Sequence, residues 1–345
     1  IILIVYVDDA ILISPDKTRI DAEVASLKQS YDLTDDGPLH DYLGTRFERK
    51  GGEVLLSQPR MIQRILDLVG IDPNDEKTRR HDTPADSETI LHKDEKGNPR
   101  KQTWNYRAVV GCLSYLQAMV RPDITFAVQA CARFCNDPKQ SHEEAVKRIC
   151  RYLLATRDRG ICMKPDRSKG LECYVDADWA GSWHKDHTND PSTAHSRTGY
   201  VISFAGCPII WGSKMQSLIA LSTAESEYIA LSTALREVIY VMNLLNELKG
   251  RGFTVPSPTP KVVCKVFEDN KSCIEIATNH KTRPRTKHLS VRLHHFRSFV
   301  QQRLIVIQHV PTTQQTADIF TKPLPRIQFQ VLRNQLMGWS SNCRE

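Results

Sequence analysis

The 345 residues predict an α/β (α+β) chain whose C-terminal half is a mixed five-stranded sheet with flanking helices. Three observations carry that expectation. After residue 170 the apolar periodicity runs β-β-β-α-β-α-α-β-α; strands that follow one another directly pair antiparallel, and strands separated by a helix join in parallel. Between residues 104 and 156 the spacing is helical, interrupted at Pro122 and Pro138. At the start of the chain two apolar runs, residues 1–5 and 10–13, flank Tyr6-Val7-Asp8-Asp9 as the strands of a hairpin would.

The elements follow in order. Asp is a common turn residue, so Asp8-Asp9 reads as the tight turn of the first hairpin. A helix over residues 17–30 and short strands as far as residue 56 come next, with turns at Asp36-Gly37-Pro38 and Gly51-Gly52. Met61, Ile62, Ile65, Leu66 and Val69 share one face of a helix over 59–69. Residues 72–102 are polar, charged and rich in turn formers, which suits a linker or a long surface excursion. Helices over 104–120, 123–135 and 141–156 follow, and the turn-rich stretch 164–170 closes this region. Leu171–Asp178 is a strand ending in acids, and residues 198–204 and 208–212 are two more around Ala205-Gly206. Residues 223–249 form a long helix, with Ile229, Leu231, Leu235, Val238, Val241, Leu244 and Leu248 at helical spacing. A strand over 262–268, helices over 271–278 and 291–302, and a strand over 304–309 complete the sheet. Three segments are therefore expected: 1–56, 57–165 and 166–345.

Composition narrows the class. Forty per cent hydrophobic and 25% charged residues suit a soluble globular protein. No run approaches the ~20 apolar residues of a membrane span, and the first residues lack the flanks of a signal peptide. The chain begins with Ile in what reads as the middle of a buried strand, so a piece of a longer polypeptide is expected. Ten cysteines contain no CxxC pair; Cys112, Cys131, Cys135 and Cys150 fall in apolar helical runs, as reduced core residues of an intracellular protein do. His184, His187 and His195 match no familiar zinc-ligand spacing.

Charge points to a polyanion. The net charge of +7 is uneven: residues 276–317 hold no acid but carry Lys281, Arg283, Arg285, Lys287, Arg292, Arg297 and Arg303. A solvated basic face is the plain reading of such a cluster, and a nucleic-acid backbone is the functional one. Around it stand four acids at strand ends and helix starts: Asp176, Glu225, Asp269 and Asp318. Each has a structural reading. Ser222 with Glu225 spells a capping box, Asp269 suits an N-cap, Asp318 suits a helix N-terminus, and Asp176 an exposed strand. Such positions in a mixed sheet can also converge on one edge. Carboxylates packed there cannot all stay ionised without cations, and two Mg²⁺ about 4 Å apart would make a phosphodiester hydrolase.

The motifs taken together resemble the C-terminal part of a copia-type retrotransposon Pol polyprotein, from the catalytic hairpin of its reverse transcriptase through its ribonuclease H domain. The resemblance is carried by Tyr6-Val7-Asp8-Asp9, Tyr42-Leu43-Gly44, Leu56-Ser57-Gln58, Tyr106-Arg107-Ala108-Val109-Val110-Gly111 and Arg121-Pro122-Asp123-Ile124. It continues through the stretch 174–181, Ser196-Arg197-Thr198-Gly199-Tyr200, the stretch 222–228, Glu268-Asp269-Asn270, Arg285-Thr286-Lys287-His288 and the stretch 316–324.

The resemblance implies a ribonuclease H-like sheet, preceded by part of a reverse transcriptase palm (1–56) and a helical thumb or connection region (57–165). It implies Asp176, Glu225, Asp269 and Asp318 as catalytic, metal-binding acids, with Asp178 and Glu227 as open alternatives to the first two. Two Mg²⁺, with Mn²⁺ as substitute, would serve an endoribonuclease that cleaves the RNA strand of RNA–DNA hybrids. Asp8 and Asp9 match two polymerase carboxylates; the third is absent from the chain, so polymerisation is not expected of it alone. Lys281, Arg283, Arg285, Lys287, His288 and Arg292 would bind the hybrid or a primer-template. Ser290 stands where the family usually has an acid, which leaves that loop a binding element. No counterpart of the catalytic His loop of cellular enzymes is evident, although His309 and Thr312 lie nearby in sequence. Other Pol segments would be partners, and the location would be the cytoplasm, a virus-like particle of an active element, or the nucleus. A catalytically inactive relic that only binds nucleic acid is the competing reading; an integrase core would need a DDE triad and a His/Cys zinc module, and neither is seen. Neutralising Arg283, Arg285 and Lys287 together is expected to flatten the salt dependence of hybrid binding, and an unchanged slope would remove their phosphate role.

Overall fold

The computed structural model describes residues 1–185, 190–255, 261–278 and 295–339. The first hairpin pairs β1 (Ile2–Tyr6) with β2 (Asp9–Ile13), Tyr6 lying opposite Asp9. Its two-residue loop is therefore Val7-Asp8, with Val7 at φ 52°, and Asp9 opens the return strand instead of sharing the turn. The strands are not buried as their composition suggested: Val5 is 63% and Tyr6 56% exposed, because no other element among the described residues packs over them. Helix α1 (Lys17–Ser30) starts where Asp16 accepts the Thr18 N–H at 2.9 Å, and it too buries no residue.

A four-stranded antiparallel sheet follows in the order β3 (Asp41–Tyr42), β4 (Thr45–Lys50), β5 (Glu53–Ser57), β6 (Ile161–Met163). Three residues are too few to show a period, so sequence reading missed β6. Helix α2 (Pro59–Val69) opens with Pro in its first turn and ends at Gly70, whose φ of 70° reaches the left-handed region without Cβ strain. Asn105 caps α3 (Tyr106–Met119) by accepting the Ala108 N–H at 3.0 Å. Pro122 then breaks the helix, a single 3-10 turn leads into α4 (Thr125–Ala132), and α5 (Gln140–Ala155) packs back.

That break holds a fully buried ion pair. Arg121 grips Asp123 with Nε at 2.9 Å and Nη2 at 2.8 Å, and the Tyr152 hydroxyl donates to the same carboxylate at 2.5 Å. Arg121 also donates to Thr156 Oγ1 at 2.7 Å. Paired this way, the Asp123 carboxyl is held below its usual value against the burial that would raise it.

The second sheet has the order β11 (Ile305–His309), β10 (Cys264–Glu268), β7 (Leu171–Asp178), β8 (Arg197–Phe204), β9 (Cys207–Met215). β7, β8 and β9 are antiparallel, while β10 and β11 join in parallel, as the helical crossovers require. Leu171, Cys173, Val175 and Ala177 point to one face, where α6 (Thr223–Gly250), α7 (Lys271–Thr278) and Phe296 near α8 (Arg297–Gln301) complete a core. Tyr174, Val201 and Trp211 point to the other, into a second core shared with α2 to α5 and the last helix, α9 (Arg326–Met337). Hydrophobic contact thus joins the middle helices to the second sheet. By length and composition α6 could cross a membrane, contrary to the sequence expectation; it is instead the largely buried core helix of this layer. No disulfide joins any of the nine described cysteines. Replacing Asp123 by Ala strands a buried guanidinium and is expected to cost roughly 3–5 kcal/mol in denaturant-melt stability; a loss under ~1 kcal/mol, the usual worth of an exposed pair, would refute that role.

Candidate active site

Asp176, Glu227 and Asp269 bring ligand oxygens within 4.8 Å of one another at the edge of the second sheet. Asp176 lies near the end of β7, opposite Gly199 of β8, on the face covered by a 3-10 turn over Thr316–Phe320. Gly199 is needed for that cover: a Cβ there would stand 2.5 Å from Thr321 Cγ2 and 2.8 Å from Phe320 Cβ. Thr321 Oγ1 can therefore approach and donate to Asp176 Oδ2. Glu227 enters from the first turns of α6 and accepts the Ala177 N–H. Asp269 follows the last residue of β10, and Thr312 Oγ1 donates to its Oδ2 at 2.8 Å. The 310–315 region after β11 thus supplies an orienting threonine, whereas His309 is an exposed strand end.

The cluster concentrates negative charge under cover. Asp176 is 3% and Glu227 6% exposed, and Glu227 Oε2 has no hydrogen-bond partner. Burial first, then the charges of Glu268, Asp176 and Asp269, push the Glu227 carboxyl well above the usual range. Glu268 is fully buried behind it; its Oε1 accepts the Asn270 N–H at 3.0 Å and its Oε2 has no partner. Its pKa is also well raised, by burial above all and then by Asp269 and Asp176, with the Asn270 N–H opposing. Asp318 is buried beside Asp176; burial and that neighbour raise it to about 7, against the opposing charge of Lys322. The Lys322 ammonium lies 2.8 Å from Asp318 Oδ1 and 3.8 Å from Asp176 Oδ2, so it offsets part of the shared charge.

Of the expected quartet only Asp176 and Asp269 fall in the group of three; Asp318, buried beside Asp176, lies outside it. Glu225 does not join the cluster: its Oε2 accepts the Leu221 N–H at 2.9 Å while Ser222 Oγ accepts the Glu225 N–H, which is the helix-capping alternative. Two helical steps of about 100° each separate Glu225 from Glu227, so the two point to nearly opposite sides. Glu227, left open as the alternative to Glu225, is marked by its spacing to Leu231, Ala234 and Val238, a buried stripe at i, i+4, i+7 and i+11. Asn270, not Asp269, caps α7 by accepting the Cys273 N–H at 3.0 Å. Glu268 was overlooked, although strand alternation with the buried Cys264 and Val266 marks it as inward-facing. Asp178 shares the face of Asp176 but lies one pleat further on, outside the group of three. Asp8 and Asp9 stand apart at the first hairpin, and no third acid is gathered with them among the described residues. Lys281, Arg283, Arg285, Lys287, His288 and Arg292 lie outside the described residues.

Acids with raised folded pKa values bind more protons in the native than in the unfolded state, between the ordinary carboxylate value near ~4 and the folded value. Stability then falls as pH rises through that window, which reaches about 7 for Asp318. In EDTA the thermal midpoint is expected to drop between pH 5 and pH 8, less steeply in Glu268→Gln. Parallel pH profiles for the two proteins would show that Glu268 does not titrate with the cluster.

No family model matches the chain. It is 34% identical over 351 aligned positions to the Retrovirus-related Pol polyprotein from transposon TNT 1-94 of Nicotiana tabacum, covering 99% of this chain and 24% of that protein. It is 34% identical to the Retrovirus-related Pol polyprotein from transposon RE1 of Arabidopsis thaliana, covering 95% of this chain and 21% of the other. Among solved structures, LC11-RNase H1, isolated from compost by a metagenomic approach, is 15% identical with a TM-score of 0.31, covering 44% of this chain and 92% of that one. The chain spans about a quarter of the length of the curated relatives it matches. Over almost its whole length the chain is homologous to one segment of copia-type retrotransposon Pol polyproteins.

Proposed function

We propose that this chain is a divalent-cation-dependent endoribonuclease that cleaves the RNA strand of RNA–DNA hybrids. The observation that carries the reading is the convergence of Asp176, Glu227 and Asp269 from three separate elements. The donor set is all carboxylate oxygen, the preference of Mg²⁺ and Mn²⁺, and the buried, unpartnered Glu227 Oε2 is a ligand atom waiting for a cation. Asp176, Glu227 and Asp269 would hold one ion; Asp176 with Asp318 would hold a second beside Lys322. Bound there, the ions supply positive charge to a phosphate and lower the pKa of a water.

The chain's own groups prepare that site. Thr321 aims Asp176, Thr312 aims Asp269, and the Ala177 N–H anchors Glu227. Lys322 holds Asp318 and Asp176 together at the close spacing their charges oppose. Choice of RNA would come from 2′-OH contacts and hybrid shape, with the basic residues between Lys281 and Arg292 on backbone phosphates. In the same reading residues 1–56 are polymerase palm, 57–165 thumb or connection, and 166–345 the nuclease. Asp8 and Asp9 without a third acid do not extend a primer, and other Pol segments supply the remainder of that activity, in the cytoplasm or a particle.

The expected result is Mg²⁺-dependent hybrid cleavage, no primer extension, and loss of cleavage by at least ~100-fold in Glu227→Gln, a loss of about 2.7 kcal/mol in transition-state stabilisation, with hybrid binding retained. Glu225→Gln should cleave within a few-fold of the unaltered chain. Cleavage that survives Glu227→Gln, or fails with Glu225→Gln, refutes the assignment; binding without cleavage by the unaltered chain would make it an inactive relic.

A further inference from the structure

Past Asp178 and Thr321, a cavity of about 320 Å³ opens between the second sheet and the middle helices. Arg79, Arg133, Arg148, Arg151 and Arg197 line it, facing only three acids: Asp86, Glu144 and Asp178. Arg148 is engaged by Asp86 at 3.2 Å. Arg133 and Arg197 form no ion pair among the described residues, although both contribute to the wall.

Arg197 is the more unusual of the two. It is 5% exposed on β8, donates to Ser213 Oγ at 3.1 Å, and lies over the Phe126 ring at 5.2 Å. Arg133, just past α4, reaches Ser182 Oγ at 3.5 Å and lies over the Phe134 ring at 5.3 Å. Asp178, opposite Arg197 on the neighbouring strand, and Asp190, near Arg133, offset part of this charge without closing an ion pair. A guanidinium so incompletely paired under cover is costly, and an arriving anion relieves that cost. Their pKa values are lowered by burial, Arg197 to about 10, and His81 on the same wall is lowered by burial and then by Arg148, Arg79 and Arg151. The wall therefore carries more positive than negative charge, five arginines against three acids.

From these observations we infer that the Arg133–Arg197 cavity binds a phosphate group, and that this phosphate belongs to the backbone of the nucleic acid cleaved at the adjoining acids. The guanidinium fork matches phosphate oxygens, and the volume accepts a phosphate with part of its sugar. Thr321 couples the two places, since it lines the cavity and also donates to Asp176. The hybrid as source rests on the function proposed above; the anion site does not. Because α4 and α5 form the far wall, the substrate would be gripped by the middle region and the second sheet together.

The test uses the full chain, Arg133→Gln and Arg197→Lys, with melting curves to establish folding. Inorganic phosphate is titrated by ³¹P line broadening, and hybrid affinity is measured in EDTA across a salt series. Saturable phosphate uptake is expected in the full chain and in Arg197→Lys, and its loss in the half-buried Arg133→Gln. The salt slope for the hybrid should fall by roughly 0.7–0.9 in Arg133→Gln, one phosphate contact's share. Absence of saturable uptake in the full chain overturns the site. Uptake with an unchanged hybrid slope overturns the backbone as its source in favour of a free phosphate. Hybrid cleavage absent from the full chain, with the slope change present, would refute the nuclease reading and leave this site standing.

Discussion

Negative charge that cannot reach water is the constraint on which the second half of the molecule turns. Asp176, Glu227, Glu268 and Asp318 are all buried at one sheet edge, where mutual repulsion and desolvation add. The surroundings answer with oriented donors and one ammonium: Thr321, Thr312, the Ala177 N–H and Lys322. Even so, Glu227 and Glu268 each keep an oxygen without a partner. A site left in that state is stable only with protons or cations on it, which is why its chemistry and its proton uptake cannot be separated.

Positive charge is buried by two different arrangements. Arg121 is closed off completely, with Asp123, Tyr152 and Thr156 around it, and serves to hold the helix break at Pro122. Arg197 is nearly as deeply placed, but its hydrogen bond goes to a hydroxyl and its face to a ring, and Asp178 across the strand pair closes no ion pair with it. The first is a finished structural pair; the second faces a cavity. The shared core of α2 to α5, β8 and α9 keeps that cavity next to the acids, so the helical region is part of the site's architecture.

Much of this was legible in the residues. The alternation of Leu171, Cys173, Val175 and Ala177, the long apolar stripe of α6, and prolines at the breaks set most element boundaries to within a few residues. The acid at the end of β7 was legible as well. Glu225 was misplaced because a local signal, the Ser222 capping box, is a true one: it describes what Glu225 does at the helix start. The stripe through Leu231, Ala234 and Val238 carried the longer-range information about Glu227.

The sequence by itself determined most of the elements and their order, the parallel and antiparallel joins of the second sheet, and the kind of chemistry that clustered carboxylates permit, because these follow from periods of 2 and 3.6 residues and from short connections. Tertiary structure alone decided which acids meet, that β1 and β2 keep their apolar residues exposed, and that Arg133 and Arg197 line one cavity whose arginines outnumber its acids. Those outcomes depend on which side of a helix or strand faces which neighbour across tens to hundreds of residues. Local pattern carries no distance information of that range.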